Sequence, residues 1–117
     1  MDTRVGSYLG TEIGGKWWKR FRRDGFFARG NGEYWLDDRA LCFRRYLTKA
    51  PLIIPFEKMT GLRLGTWHAG KWVLGKPILK VLWRHEGQEL SSGFYVSKAD
   101  ELIREVEARM APSTRAR

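Results

Sequence analysis

Cysteine is almost missing from this chain: Cys42 is the single copy in 117 residues. No internal disulfide can form, and a reducing compartment is the natural setting. Leu41 and Phe43 flank it, so a buried, inert thiol is expected rather than a nucleophile. Histidine is nearly as scarce. His68 and His85 are the two present, and neither pairs with the other or with Cys42 at metal-ligand spacing, so neither a metal nor any other cofactor is expected. Long apolar runs are absent too. Leu52 to Phe56 is the longest, interrupted by Pro55 and far too short to cross a bilayer. A basic start followed by an apolar run is missing at the N-terminus, Asp2 follows Met1, and no C-terminal cysteine box is present, which removes the usual secretion and lipidation signals. The expectation is a cytoplasmic protein that meets a membrane, if at all, peripherally at its inner face.

Acid is the minority charge, with 13 acidic residues against 22 basic ones and a net charge of +9. Such a balance favours phosphate-bearing partners through long-range attraction. The carboxylates Glu33, Asp37, Asp38, Glu57, Glu86 and Glu89 fall at predicted turns or strand ends. Acid–base catalysis needs two groups facing one pocket, and nothing in their spacing suggests it, so no enzyme is expected. Gly70 to Lys76 fits the first seven positions of a nucleotide phosphate loop. The eighth is Pro77, with neither hydroxyl nor N–H, and a strand pattern follows where a helix is needed.

What the chain has in quantity is short alternating segments. Leu79, Val81 and Trp83 share one face, as do Leu90, Ser92, Phe94 and Val96, and Glu86-Gly87 lies between the two runs. This predicts an antiparallel hairpin. From Ser97 the period changes. Ser97-Lys-Ala-Asp100 has a capping-box pattern, and Ala99, Leu102, Ile103, Val106 and Met110 follow at helical spacing. Asp100/Arg104 and Glu105/Arg109 are four apart on the outer face. Upstream, residues 26–29 and 33–37 read as strands joined by a tight Asn31-Gly32 turn. Further strands are expected at 40–46, 52–55 and 60–64. Pro51 and Pro55 mark 52–55 as an edge strand, able to pair with a second copy in a homodimer. The fold class is therefore mainly β: a small antiparallel barrel or sandwich of about seven strands closed by one C-terminal helix, about 97–110. Residues 1–24 are expected to be an N-terminal lead-in, extended or loosely ordered over 1–15 and then carrying a basic aromatic segment, with 25–111 the domain and 112–117 a basic tail.

Within the lead-in, Lys16, Lys19, Arg20, Arg22 and Arg23 are interleaved with Trp17, Trp18 and Phe21. Ile13, Trp17 and Phe21 recur every four residues, which suits a turn or two of helix with a basic flank. Such a segment can lie in a membrane interface, rings at the headgroups and bases on anionic lipid, at about 1 kcal/mol per base. It can also stack on single-stranded nucleic acid, or pack its rings on the domain and leave the bases solvated. Trp67, Lys71, Trp72 and Lys76, in the glycine-rich stretch 65–76, are a second candidate contact patch.

Strands closed by one amphipathic helix resemble the pleckstrin-homology-like superfold, particularly its GRAM-like and bacterial members. The resemblance rests on Gly32 to Phe43 (apolar strand, acidic turn, apolar strand), on Leu52 to Met59 with its Ile-Pro step, and on Val81-Leu-Trp83, Gly87 and Phe94-Tyr-Val96 before the helix. It covers about residues 25–111. It implies a non-catalytic binding or adaptor module that engages a protein partner or an anionic membrane surface. Single-stranded nucleic-acid binding by the same basic patch is the alternative. A small-ligand carrier or enzyme would need an apolar pocket with convergent polar groups.

Overall fold

A computed structural model describes residues 3–23, 26, 29–48, 50–68, 71–72 and 77–110, apart from the side chains of residues 17, 67, 71 and 72. Ten strands and one helix follow in order: β1 (Arg4–Ile13), β2 (Lys16–Arg20), β3 (Gly30–Leu36), β4 (Ala40–Arg45), β5 (Leu52–Pro55), a 3-10 turn (Phe56–Lys58), β6 (Met59–Gly65), β7 (Trp67–His68), β8 (Lys71–Trp72), β9 (Ile78–His85), β10 (Gln88–Val96) and α1 (Ala99–Glu107). Seven strands form one antiparallel sheet in the order β5-β4-β3-β1-β10-β9-β6; β2 pairs with the far end of β1, and β7 and β8 make a separate small hairpin. Leu52 and Ile54 from one edge share a core with Met59 from the other edge and with Leu102 and Val106 of the helix. The sheet therefore curls around a single interior, and α1 closes it. The expected mainly-β architecture is what the chain adopts.

The β9–β10 hairpin turns at Glu86 and Gly87, both at positive φ (51° and 80°), the two-residue geometry that matches strand twist. Ala99, Leu102, Val106 and Met110 are buried beneath the helix, as their spacing predicts. The capping box does not form. Lys98 holds the cap position in a left-handed conformation with no side-chain cap hydrogen bond, so Ser97 stands one residue too early. Asp100 and Arg104 do approach, to 3.8 Å. Glu105 instead gives its carboxylate to Arg4 at 2.8 and 3.0 Å, tying α1 to β1, while the Arg109 guanidinium donates to the Glu105 carbonyl oxygen.

Three expectations are corrected. Residues 4–13 are extended, but not as a lead-in outside the domain: they form β1, paired with β10, β3 and β2. Its register shifts between Tyr8 and Gly10, where Gly10 takes φ 110°; this bulge lets the strand serve both halves of the curled sheet. Asn31-Gly32 is not a turn but the interior of β3, with Gly32 opposite Gly6 and Arg45. Residues 16–20 are not helical but form β2, paired with β1 at Lys16 and Arg20. The tail 112–117 lies outside the described residues.

A buried chain of hydrogen bonds runs through the middle of the sheet, and its proton order follows from the donors available. Trp83 Nε1–H donates to Ser92 Oγ at 3.0 Å and Tyr8 Oη–H donates to the Phe26 carbonyl at 2.9 Å. Ser92 must then donate to Thr11 (2.7 Å) and Thr11 to Tyr8 (2.6 Å). Every hydroxyl is thereby satisfied in an interior where an unpaired one would be costly. Burial pushes the Tyr8 phenol well above its ordinary value, so the chain stays neutral.

At the β3–β4 turn, Asp37 Oδ1 accepts from the backbone N–H of Arg39 (2.8 Å) and Ala40 (2.7 Å). The Arg39 N–H is the largest influence holding the Asp37 carboxyl below its ordinary value. Its contribution is present above the unfolded-state pKa near 4 and is lost as pH falls through the lower folded value. Asp37→Ala is expected to cost about 1 kcal/mol in urea unfolding at pH 7. The deficit relative to wild type should shrink as the pH falls from the unfolded-state carboxylate range through the lower folded value; a pH-independent deficit would count against this account.

Candidate surface-binding site

β1, β4 and β9 run in the same direction, because β3 lies antiparallel between β1 and β4, and β10 between β1 and β9. Their C-terminal ends therefore emerge at one end of the sheet. Gly14-Gly15, Tyr46-Leu47 and Glu86-Gly87 follow them there. The basic, aromatic segment belongs to this end.

On β2 the ladder pairs Glu12 with Arg20 and then Ile13 with Lys16. Three residues of β2, Trp17, Trp18 and Lys19, thus stand between consecutive pairs and bow outward. Trp18 is 62% exposed, and Lys16, Lys19, Arg22 and Arg23 are exposed as well. The side chain of Trp17 lies outside the described residues. Phe21 departs from the surface reading: it is buried at 3%, edge-on to Phe26 and His85 with centroids 5.6 and 5.7 Å apart. Arg23 stacks its guanidinium 5.4 Å over that same ring and pairs with Glu86 at 2.8 Å. Arg20 is half-buried and lies against Gly10, as does Arg29. Burial first, and then the Arg20 charge, lower the Arg29 guanidinium from its ordinary value; a guanidinium still remains charged at neutral pH. The eight-residue segment is thus divided. Phe21 anchors it, Arg20 and Arg23 brace it, and Lys16, Trp18, Lys19 and Arg22 face outward.

The second patch, Trp67, Lys71, Trp72 and Lys76, is only partly visible. Trp67 pairs with Trp72 and His68 with Lys71 in the β7–β8 hairpin, while those side chains and all of Lys76 lie outside the described residues. His68 between them is fully buried. Its Nε2–H donates to the Gly10 carbonyl at 2.9 Å, which leaves Nδ1 facing the buried Glu12 carboxylate at 3.8 Å. Desolvation lowers the His68 pKa, and the Glu12 charge opposes that shift. The imidazole lies on Gly93, where a Cβ would come within 2.3 Å of the ring. Sequence reasoning missed this histidine–glutamate contact, since neither residue sits in a periodic pattern. His85 is half-buried against Phe21 and Trp83.

Among the described residues no group of three His, Cys, Asp or Glu side chains could hold a metal ion. An open groove of about 540 Å³ runs past Asp37, Arg39, Ile53, Glu57 and Arg109, but the Asp37 carboxylate there is occupied with its own turn. Burial, with Asp37 beside it, pushes the Cys42 thiol up to about 11, so it is protonated at neutral pH. No helix among the described residues is long and apolar enough to cross a membrane.

A central strand shared by both halves of a curled antiparallel sheet, a helix across its opening and strand-end turns gathered at one end define a PH-like fold. The family model described as bacterial PH domain-like matches residues 1–110, and the chain belongs to that family. The match begins at the first residue, in keeping with β1 being part of the domain. No curated protein matches the chain. Families of this kind are generally non-enzymatic binding modules.

Proposed function

We propose that this domain docks peripherally on an anionic membrane surface, at a cytoplasmic face, through the bulged β2 segment. The observation that carries the reading is the sorting of side chains on folding: Phe21 enters the core, whereas Lys16, Trp18, Lys19 and Arg22 stay exposed together. A ring at headgroup level flanked by bases is suited to a charged interface. Glu86, in the turn at the same end, is paired with Arg23, which reduces a local repulsion.

The test is sedimentation with vesicles of phosphatidylcholine alone or mixed with phosphatidylserine, over a salt series. Wild type should prefer the anionic vesicles, and the preference should fade with salt. The triple variant Lys16→Gln/Lys19→Gln/Arg22→Gln should bind roughly a hundredfold more weakly, from about 1 kcal/mol per base. Equal binding by wild type and triple variant would refute the proposal. Tighter binding to a single-stranded oligonucleotide than to vesicles, with a steep salt slope, would favour the nucleic-acid reading of the same patch.

A further inference from the structure

Leu47 stands at φ 68°, in a region that leucine disfavours, and its side chain is fully exposed at 105%. Neither property serves the fold: a glycine or asparagine would suit the backbone better, and nothing covers the side chain. The tip is nevertheless built firmly. Tyr46 N–H donates to the Asn31 carbonyl at 3.0 Å, and Thr48 donates to the Arg45 carbonyl through its N–H (3.2 Å) and its hydroxyl (2.6 Å). Tyr46 beside it is 48% exposed, and Arg44 on the adjoining strand is exposed. Because β4 runs parallel to β1, the tip leaves the sheet at the same end as the turn into β2. An apolar point on a braced loop, with Arg44 behind it (3.9 Å from Glu33) and a basic segment at its own end of the sheet, is matched in charge and polarity to the boundary between anionic headgroups and acyl chains.

We infer that the Tyr46-Leu47 tip is a second membrane contact, with Leu47 inserting below the headgroups while β2 holds the surface electrostatically. This rests on the membrane reading above and adds to it a penetrating residue outside the basic segment.

Leu47→Asn separates the two. Asparagine accepts the left-handed backbone, so the melting temperature should be unchanged or higher, while affinity for phosphatidylserine vesicles should fall about tenfold with the salt dependence retained. An environment-sensitive dye on Leu47→Cys, with Cys42 buried and unreactive, should shift to the blue on binding and be quenched by spin labels high on the acyl chains. If wild type binds these vesicles but Leu47→Asn binds equally well, or the dye stays in water, the insertion is refuted and the basic-surface proposal stands; a dye that stays in water would then point to a protein partner for the tip. If wild type ignores anionic vesicles, both fall.

Discussion

Gly32→Ala is expected to destabilise the domain by about 3 kcal/mol or more, seen as a lower urea midpoint at unchanged slope and a melting temperature reduced by about 10 °C. A Cβ at Gly32 would lie 2.2 Å from the Arg44 carbonyl oxygen and 2.7 Å from the Arg45 Cα. Both are backbone atoms of the paired strand β4, so no rotamer change can make room. Relief requires opening the β3–β4 ladder that joins Gly32 to Arg45 and Glu33 to Arg44. Opposite, Gly6 is confined less severely and chiefly by side chains, with a Cβ there 2.9 Å from Val96 Cγ1 and 3.1 Å from the Tyr34 ring. Gly61→Ala supplies the control. Its nearest neighbour would be Leu82 Cδ1 at 3.6 Å, ordinary contact, and this change should be neutral or slightly stabilising through the unfolded chain. If Gly32→Ala and Gly61→Ala melted alike, close approach of β3 and β4 would be excluded as the reason for glycine at 32.

That glycine also shows where the sequence is legible and where it is not. Asn-Gly signals a hairpin turn because glycine tolerates positive φ; Gly32 is needed for space, not for φ, and composition cannot distinguish the two demands. The β9–β10 hairpin and α1 were readable because their large apolar residues keep period: Leu79, Val81 and Trp83, then Leu90, Phe94 and Val96, then Leu102 and Val106; residues 90–94 are all buried, but those between Leu90 and Phe94 are small and do not blur the pattern. β1 was not readable, because residues 8–12 are buried in succession and two of them, Thr11 and Glu12, are polar. Their burial depends on partners far along the chain, Ser92 and His68, that no local window contains. The basic segment was half legible. Its charge identified Lys16, Lys19 and Arg22 as surface residues, but the four-residue spacing of Ile13, Trp17 and Phe21 imitated a helix across what is the end of β1, a glycine turn and β2, and Phe21 belongs to the core. Leu47 left no trace in the pattern, since a backbone angle is not written in hydropathy.

Leu102→Ala is expected to cost between about 2 and 5 kcal/mol, toward the upper half of that range, with the sheet's own core otherwise intact. The helix has nine residues, too few to be stable alone in water, and its N-terminus lacks a side-chain cap. Docking must therefore supply what local propensity does not. The Arg4–Glu105 clamp is a weak substitute, because both side chains are more than a third exposed (36% and 40%) and such pairs are usually worth under about 1 kcal/mol. The weight falls on Leu102 and Val106, 1% and 0% exposed, in the cluster that joins both sheet edges. Truncating Leu102 removes transfer energy and leaves a cavity walled by strands that cannot collapse onto it independently. Ile103, only partly buried, should cost distinctly less when cut to Ala, and Asp100→Asn, on the solvent side, almost nothing. Equilibrium urea unfolding of the three variants gives the ranking directly. A Leu102→Ala cost near that of Asp100→Asn would mean that α1 does not close the sheet in solution, and the common core beneath it would have to be redrawn.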